Sequence, residues 1–359
     1  MEIYILWEIL KMHEDALAWD KLMCGTFNPE YFPPIIMPVI EHIPWVEKNF
    51  PIPAGLQEEV IRMVKEKIDT GTYEFSNSSY WSWFFVLPKK QPGALRIVHD
   101  LQLLNCVTIK ESGVPPTMDE IIEETCRRQI YSVLDALVGY DHQLIDEWSR
   151  DLTTFQSPLG SLQLTVLPMG WTNSVSVFHG HITFILQDET PEKARPFIDD
   201  IACQRPRTTY PDLSGEPTRI SKYTEVWKFV FEHLQDLNCI LHQLWLTGVT
   251  ISAKKLSLCV PEVTILGHRC TQDGRIPDDA HVWKVLKWPN CSNLTEVWGF
   301  LGVANLMQMF IKDYAKRADA LQWLTCKDEK FQWGEEQIHA FEDIKRNHFS
   351  TCSEALGLQ

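Results

Sequence analysis

The stretch Phe197-Ile198-Asp199-Asp200-Ile201-Ala202 places two adjacent aspartates between two short apolar runs. Apolar runs that flank a polar turn predict a β-hairpin, with the two carboxylates at its tip. Neighbouring anions repel each other unless a cation neutralises them, so the arrangement indicates a site for a divalent metal. An Asp-Asp pair is weak evidence by itself, because aspartate-rich turns are common in proteins that bind no metal.

A third carboxylate follows a second strand-like run. Asp135 comes directly after Ile130-Tyr131-Ser132-Val133-Leu134. Asp135, Asp199 and Asp200, carried by two neighbouring strands, are a suitable ligand set for two Mg²⁺ ions in phosphoryl transfer, with Mn²⁺ as the alternative ion. The competing interpretation is three unrelated surface acids.

The composition is that of an ordinary globular protein with an acidic balance. The chain has 359 residues, of which 45% are hydrophobic and 23% charged, and its formal net charge is −15. This balance argues against a protein that coats nucleic acid through a global positive field. The segment 84–110 nevertheless carries four bases against Asp100 alone, which is compatible with binding one triphosphate or a short duplex.

Neither the cysteines nor the apolar runs indicate export or a membrane. The ten cysteines show no C-x₂-C pairing, which argues against a zinc knuckle or a disulfide framework and favours a reducing compartment. The apolar run at residues 3–10 is interrupted by Glu8 and is too short to span a bilayer. We therefore expect an intracellular protein, in the cytoplasm or nucleus, with no membrane partner.

The order of predicted elements divides the chain into three parts. Residues 1–54 form a proline-rich arm, 55–276 alternate strands with helices, and 277–359 follow a wholly helical pattern. Helices are predicted at about 55–69, 117–127, 174–186 and 221–246, and strands at about 81–87, 95–98, 130–134 and 263–270. The succession predicts an α+β fold, in which an open antiparallel sheet is covered by helices on one face.

Eight short motifs follow one another over roughly residues 40–345. They are LRIVHDLQLLN (95–105), TIK (108–110), SVLD (132–135), LPMGWTNS (167–174), FIDD (197–200), ILGH (265–268), FLGVAN (300–305) and FQWGEEQ (331–337). Together they resemble the reverse transcriptases of gypsy-type LTR retrotransposons, which are related to retroviral polymerases. The resemblance implies a right-hand polymerase fold, with fingers and palm in 55–276 and a helical thumb and connection in 277–359.

The resemblance implies an RNA-directed DNA polymerase that adds deoxynucleotides to a primer 3′-hydroxyl on an RNA or DNA template. Asp135 and Asp199 would bind both metal ions, and Asp200 would shape the site electrostatically. Lys255 matches the lysine that can protonate pyrophosphate as it leaves. Support of the primer terminus would come from Leu266, Gly267 and His268.

Further residues match positions that the family uses for the incoming nucleotide, namely Lys89, Arg96, Tyr140, Met169 and Gly170. Lys89 and Arg96, on a basic hairpin, would grip the triphosphate, and Lys90 is the alternative to Lys89 because the loop length is uncertain by one residue. Tyr140 would be a steric gate against a ribose 2′-hydroxyl, with a plain core tyrosine as the alternative. Met169 and Gly170 would form the floor under the nucleotide, with a core turn as the alternative. Histidines elsewhere, such as His179, are interpreted as structural.

Departures from the family pattern leave a second function open. Asp141 follows Tyr140 as a one-residue insertion, Gln102 replaces an arginine common in the fingers, and 306–309 lack the usual arginine-rich character. The chain also stops at Gln359, where relatives begin an RNase H domain. The alternative is therefore a catalytically inactive retroelement remnant that acts as a nucleic-acid-binding or protein-interaction module. A two-metal phosphodiesterase is disfavoured, because such sites usually need more His or acidic ligands. The motifs do not determine the oligomeric state.

Overall fold

The computed structural model describes residues 1–48, 51–88, 95–326 and 329–347, and the chain divides into two compact units. The first unit contains Met1–Ile121 and Arg128–Pro261, and the second contains Ile122–Arg127 and the chain from Glu262 onward. The predicted division at 276/277 lies further along the chain, inside the strand Gly274–Pro277 of the second unit. The assignment of fingers, palm and thumb to sequence ranges stays a prediction.

Helices occur in both units, and side-chain caps begin the helices Glu147–Arg150 and Leu294–Asn305. The α-helices are α1 (Glu2–Met12), α2 (Gln57–Asp69), α3 (Gln102–Val107), α4 (Met118–Thr125), α5 (Glu147–Arg150), α6 (Ser174–Ile185), α7 (Lys228–Leu246), α8 (Asp279–Leu286), α9 (Leu294–Asn305), α10 (Tyr314–Trp323) and α11 (Glu335–Asn347). At the start of α9, Asn293 Oδ1 accepts a hydrogen bond from Glu296 N at 2.9 Å, and the Glu296 carboxylate accepts one from Ser292 N at 2.7 Å. This reciprocal arrangement satisfies backbone donors that the first turn of a helix leaves unpaired.

Most strands are short. The strands are β1 (Leu17–Ala18), β2 (Tyr73–Phe75), β3 (Phe84–Pro88), β4 (Leu95–His99), β5 (Tyr131–Asp135), β6 (Phe155–Ser157), β7 (Gly160–Leu164), β8 (Ala194–Phe197), β9 (Asp200–Cys203), β10 (Arg219–Ile220), β11 (Tyr223–Trp227), β12 (Ile251–Ser252), β13 (Ser257–Val260), β14 (Val263–Ile265), β15 (His268–Thr271) and β16 (Gly274–Pro277). They form several small sheets, and the largest has four strands.

The four-stranded sheet of the first unit carries the candidate site. Its order is β13-β5-β9-β8, and every neighbouring pair is antiparallel. Helix α6 contacts β8 and helix α7 contacts β9. The apolar side chains of Leu134, Ile201 and Phe178 are fully buried between these layers. The predicted antiparallel sheet backed by helices is confirmed.

The proline-rich arm predicted for residues 1–54 begins with a helix and continues as extended chain. Helix α1 packs against α7. Single β-bridges then join Ile35 to Ile145, Val39 to Thr108 and Val46 to Trp81. Isolated bridges are expected here, because proline lacks the backbone N–H that a longer ladder needs.

The second unit combines a three-stranded sheet, β14-β15-β16, with helices α8 to α11. Its core is separate from that of the first unit and combines aliphatic side chains with aromatic rings. The rings of Phe300 and Phe341 are fully buried, and their centroids are 4.5 Å apart. The helical pattern predicted beyond Pro277 is confirmed for the described residues of this region.

Two predicted elements are wrong in detail. Helix α7 begins at Lys228 and not near 221, because Tyr223–Trp227 forms β11 and pairs with β10. Aromatic and β-branched residues favour a strand over the first turns of a helix. The strand predicted at 263–270 is a hairpin of β14 and β15, in which Leu266 and Gly267 both have positive φ. Among the residues that the structure describes, no helix is both long and apolar enough to cross a membrane.

Candidate active site

The aspartate hairpin has the form that the sequence predicts. Phe197 at the end of β8 pairs with Asp200 at the start of β9, which leaves Ile198 and Asp199 as a two-residue turn. Ile198 has a φ of 57°, a left-handed conformation that β-branched residues rarely adopt. Such strain persists only where surrounding contacts hold the backbone in place.

Two hydrogen bonds hold this turn. Ile198 N donates to His179 Nδ1 on helix α6 at 3.3 Å. Ala136 N, directly after β5, donates to the carbonyl oxygen of Asp199 at 2.8 Å. The strained turn is therefore fixed both to the helix that backs the sheet and to the strand beside it.

The register of the central sheet brings the predicted carboxylates together. Asp135 of β5 is the direct partner of Asp200 of β9, and residues directly opposite on antiparallel strands project from the same face. Asp199 precedes Asp200 in the turn. Partial burial and the charge of Asp135 raise the pKa of Asp199. Burial and the charges of Asp199 and Asp135 raise the pKa of Asp200 to about 6.

Lys255 completes this group of charges. Its Nζ donates to both carboxylate oxygens of Asp135, at 2.9 Å to Oδ1 and 2.8 Å to Oδ2. The lysine lies between β12 and β13, and β13 pairs with β5 on the side away from β9. The charge of the ammonium group also acts on Asp199 and Asp200, where it opposes the rise in their pKa values. The hydrogen bond to Asp135 raises the pKa of Lys255, so the ammonium group stays charged.

Asp135, Asp199 and Asp200 are the candidate ligands for a divalent cation. Across the described ranges, no group of three or more His, Cys, Asp or Glu side chains is arranged to hold a metal ion directly. The donor chemistry still suits Mg²⁺, which prefers carboxylate oxygens. Burial, and to a smaller extent the neighbouring carboxylates, raise the pKa values of Asp199 and Asp200, and the ammonium group of Lys255 pairs with Asp135. The donor chemistry of the three carboxylates therefore fits a divalent cation, and the Lys255 ammonium group now lies on both oxygens of Asp135.

Tyr140 lies beside this group, on a tight turn that we call the gate turn (residues 139–142). Its ring meets that of Phe178 edge to face, with centroids 5.5 Å apart. Partial burial and the charge of Asp199 raise the pKa of the Tyr140 hydroxyl. The structure therefore places the predicted gate residue within the electrostatic field of the carboxylates.

Glycine at position 139 permits this close approach. A Cβ atom there would lie 2.9 Å from Phe178 Cζ and 3.5 Å from Asp199 Cβ, and the first distance is too short for a real contact. The additional residue Asp141 is accommodated within the gate turn, where its carboxylate pairs with Lys67 of α2 at 2.8 Å. Asp141 thus anchors the turn on a neighbouring helix.

Met169 and Gly170 lie in the turn before α6. The Met169 side chain is 60% exposed, and Gly170 has a φ of 101°. Asn105 anchors the turn, since its Nδ2 donates to the carbonyl oxygen of Gly170 at 2.9 Å and its Oδ1 accepts from Thr172 N at 2.8 Å. The exposed side chain of Met169 argues against the alternative interpretation, in which this residue belongs to a buried core turn.

The remaining predicted residues are not joined to the carboxylates by the central sheet. Arg96 is exposed on β4, opposite Leu87 of β3, and these two strands form a separate sheet. Lys89 and its alternative Lys90 lie outside the described residues.

Leu266, Gly267 and His268 belong to the second unit. Leu266 and Gly267 form the turn between β14 and β15, with φ values of 51° and 79°. The imidazole of His268 is buried, and Arg275 Nη2 donates to its Nε2 at 2.8 Å. Leu266 and Gly267 are therefore more exposed to solvent than the His268 side chain.

Sequence reasoning missed the supporting role of His179. Its contact with the hairpin turn joins residues that are 19 positions apart, on a helix and a turn. No motif marks this histidine, which was interpreted only as structural. The Gly139 contact was missed for the same reason, since it depends on where Phe178 lies in the folded chain.

Comparison with known proteins identifies similar chains. A family model described as reverse transcriptase (RNA-dependent DNA polymerase) matches residues 87–270. The chain is 28% identical over 310 residues to the retrovirus-related Pol polyprotein from transposon 412 of Drosophila melanogaster, a match that covers 84% of this chain and 23% of that polyprotein. It is 23% identical over 300 residues to the transposon Tf2-3 polyprotein of Schizosaccharomyces pombe, covering 83% of this chain and 21% of that one.

Solved structures share the fold. The foamy viral protease-reverse transcriptase in complex with an RNA/DNA hybrid superposes with a TM-score of 0.82 at 20% identity, over 97% of this chain and 44% of that one. The same viral protein in complex with dsDNA gives a TM-score of 0.81 at 21% identity, over 97% and 67% of the two chains. This chain spans about a quarter of the length of the curated relatives that it matches.

Proposed function

The chain belongs to the reverse transcriptase (RNA-dependent DNA polymerase) family, and from this membership we propose that it extends the 3′-hydroxyl of a primer with deoxynucleotides. The expected likeness to the reverse transcriptases of LTR retrotransposons is confirmed by the transposon polyproteins that it matches. The right-hand polymerase fold is confirmed by the viral structures. The gypsy type, the intracellular location and the three-part division of the chain stay predictions.

The observation that supports this activity best is the register of β5 and β9. It sets Asp135 directly opposite Asp200, with Asp199 in the adjoining turn. We assign Asp135 and Asp199 as the ligands of two Mg²⁺ ions, or of Mn²⁺ in their place, and Asp200 as the residue that shapes the local charge. When bound, such ions would lower the pKa of the primer hydroxyl and neutralise charge on the pyrophosphate.

The other side chains would bind and orient the nucleotide. Tyr140, on the gate turn beside Asp199, would exclude a ribose 2′-hydroxyl by the bulk of its ring. Met169 and Gly170, on the turn anchored by Asn105, would lie under the base and sugar. Arg96, exposed on β4, would bind the triphosphate together with Lys89, because guanidinium groups pair with phosphate oxygens in a bidentate manner.

We propose an RNA or DNA template with its primer as the partner, and deoxynucleoside triphosphates as substrates. The related viral protein is seen in complexes with an RNA/DNA hybrid and with dsDNA, which supports this choice. The turn formed by Leu266 and Gly267 would support the primer through its backbone. The buried His268 would hold that turn rather than contact the primer.

Primer extension by the purified chain on poly(rA)/oligo(dT) with dTTP and Mg²⁺ tests the proposal. We expect extension by the parent chain and a loss of at least about a thousandfold for Asp199→Asn, since the substitution removes a ligand charge at the reacting centre. Asp188→Asn is the matched control, because Asp188 is exposed and lies on no element of the site.

Absence of extension by a folded parent chain that still binds the hybrid would overturn the enzymatic proposal. The alternative, an inactive remnant that binds nucleic acid or protein, would then replace it. Equal activity of the parent and Asp199→Asn would instead overturn the assignment of the site.

A further inference from the structure

The candidate active site already contains one cation that the chain itself supplies. The ammonium group of Lys255 donates to both oxygens of the Asp135 carboxylate, at 2.9 and 2.8 Å. The Lys255 side chain is 64% exposed, whereas that of Asp135 is only 14% exposed. The acceptor is thus held in place by the sheet, and the donor lies at the end of a solvated, flexible side chain.

A metal ion on the same oxygens would compete with this ion pair. Asp200 is the direct cross-strand partner of Asp135, and the charge of Lys255 acts on Asp199 and Asp200 as well as on Asp135. A divalent ion shared by Asp135 and its neighbours would bind oxygens that already accept hydrogen bonds from the ammonium group. It would also come within a few ångströms of a like charge, which is strongly unfavourable.

The ammonium group is nevertheless easily moved. A lysine side chain has several rotatable bonds and is well hydrated in solvent, so its transfer from the carboxylate to water needs no change of the backbone. One monovalent cation also neutralises only one of the three carboxylates. A divalent ion therefore neutralises more of the negative charge of the three carboxylates than the lysine does.

We propose that Lys255 is an internal counter-ion, which holds Asp135 in the metal-free protein and is displaced when a divalent cation binds. The proposal rests on the function proposed above, in which Asp135 is a metal ligand. It adds a consequence, namely that Lys255 is released from Asp135 only when the site is loaded. The lysine assigned to protonate pyrophosphate would then become available at the same moment as the site becomes competent.

Titration of the full chain with Mn²⁺ tests this displacement without any turnover. The EPR signal reports the concentration of the free ion. We expect Lys255→Met to bind Mn²⁺ about five- to tenfold more tightly than the parent, since the ion no longer competes with a charged hydrogen bond. Lys254→Met is the matched control, because Lys254 is the adjacent exposed lysine and its loss removes the same charge. It should change the affinity less than twofold.

Thermal unfolding of the metal-free protein gives an independent measurement. Lys255→Met should lower the melting temperature of the parent more than that of Asp135→Asn, because the pair with Asp135 is already broken in the latter and only the weaker effects on Asp199 and Asp200 remain. Added Mn²⁺ should raise the melting temperature more in Lys255→Met than in the parent.

The outcomes separate the two proposals. Failure of all the variants and of the parent to bind Mn²⁺ would overturn the metal-dependent function. Binding of equal strength by the parent and Lys255→Met would overturn the displacement alone. An equal gain in affinity for Lys254→Met would also overturn it, since the effect would then be one of general charge.

Discussion

At the scale of single residues, the aspartate hairpin holds conformations and charges that are unfavourable in isolation. Ile198 has a left-handed φ of 57°, which costs of order 1–3 kcal/mol for such a residue. Asp200 lies opposite Asp135 and next to Asp199, and its pKa is raised to about 6. The strain of Ile198 and the repulsion between the carboxylates occur at the same turn, where the proposed chemistry needs carboxylates close together.

We expect Asp200→Asn to stabilise the metal-free protein at pH 7 by about 1 kcal/mol, a modest value because solvent reaches this carboxyl. The pKa of Asp200 is about 6 in the folded state, against an ordinary value of 3.8. Between these values the folded state binds more protons than the unfolded state. The contribution of Asp200 to stability is therefore complete below about pH 4 and is lost as the pH rises to about 6.

Urea unfolding from pH 4 to 8 measures this effect. The difference between Asp200→Asn and the parent should grow over that window and then level off. Asp188→Asn, at an exposed position on no element of the site, should follow the parent throughout. A less stable Asp200→Asn protein at pH 7 would contradict the prediction.

At the scale of elements, the gate turn depends on a close approach between backbone and ring. Residues 139–142 pass beside Phe178 of α6, a ring that is fully buried and cannot easily move. The gate turn also carries Tyr140, and burial together with the charge of Asp199 raises the pKa of its hydroxyl. Packing at one glycine thus determines where the proposed gate lies relative to the carboxylates.

Gly139→Ala should destabilise the protein by about 1–3 kcal/mol, the usual range for an overpacked core. Its Cβ would lie 2.9 Å from Phe178 Cζ and 3.0 Å from Phe178 Cε1, so the ring or the turn must shift. Gly180→Ala in α6 is the control, since a Cβ there meets nothing within 4 Å. That control should stabilise the helix by about 0.5–1 kcal/mol.

Denaturant unfolding of both variants provides the measurement. A shift of the gate turn should also lower the ratio of deoxy- to ribonucleotide use in Gly139→Ala. Equal stability of Gly139→Ala and the parent would show that the ring moves aside without cost.

At the scale of the whole molecule, the two compact units have separate hydrophobic cores. The carboxylates, Lys255 and the gate turn all belong to the first unit. The core of the second unit includes Phe341, which lies on α11 and whose ring packs at a tilt against that of Phe300. A cavity made in the second core should therefore leave the cation site intact.

Phe341→Ala should destabilise the second unit by about 3–5 kcal/mol, through lost burial and the cavity left behind. Hydrogen exchange should rise in peptides from α8 to α10 and stay unchanged in α6. The Mn²⁺ affinity should equal that of the parent. Ile338→Ala is the control on the same helix, because Ile338 is exposed. Loss of Mn²⁺ binding in Phe341→Ala would contradict the prediction.

The local features of the site were predictable. The hairpin at 197–200 and the strand before Asp135 follow from short apolar runs and a polar turn, which act over a few residues. Helix α2 and the strands β3 and β4 also lie close to their predicted positions. The start of α7 and the hairpin of β14 and β15 were not predicted, because pairing with other strands overrode the local pattern.

The sequence by itself determined the family, the fold class and the identity of the candidate carboxylates, since each depends on motifs that are contiguous along the chain. Only the tertiary structure decided that Asp135 faces Asp200, that Lys255 holds Asp135 and that His179 supports Ile198. Lys255 and Asp135 are 120 positions apart. Their contact depends on the register of strands that a buried core sets, and a one-residue slip in that register would turn the side chains to opposite faces.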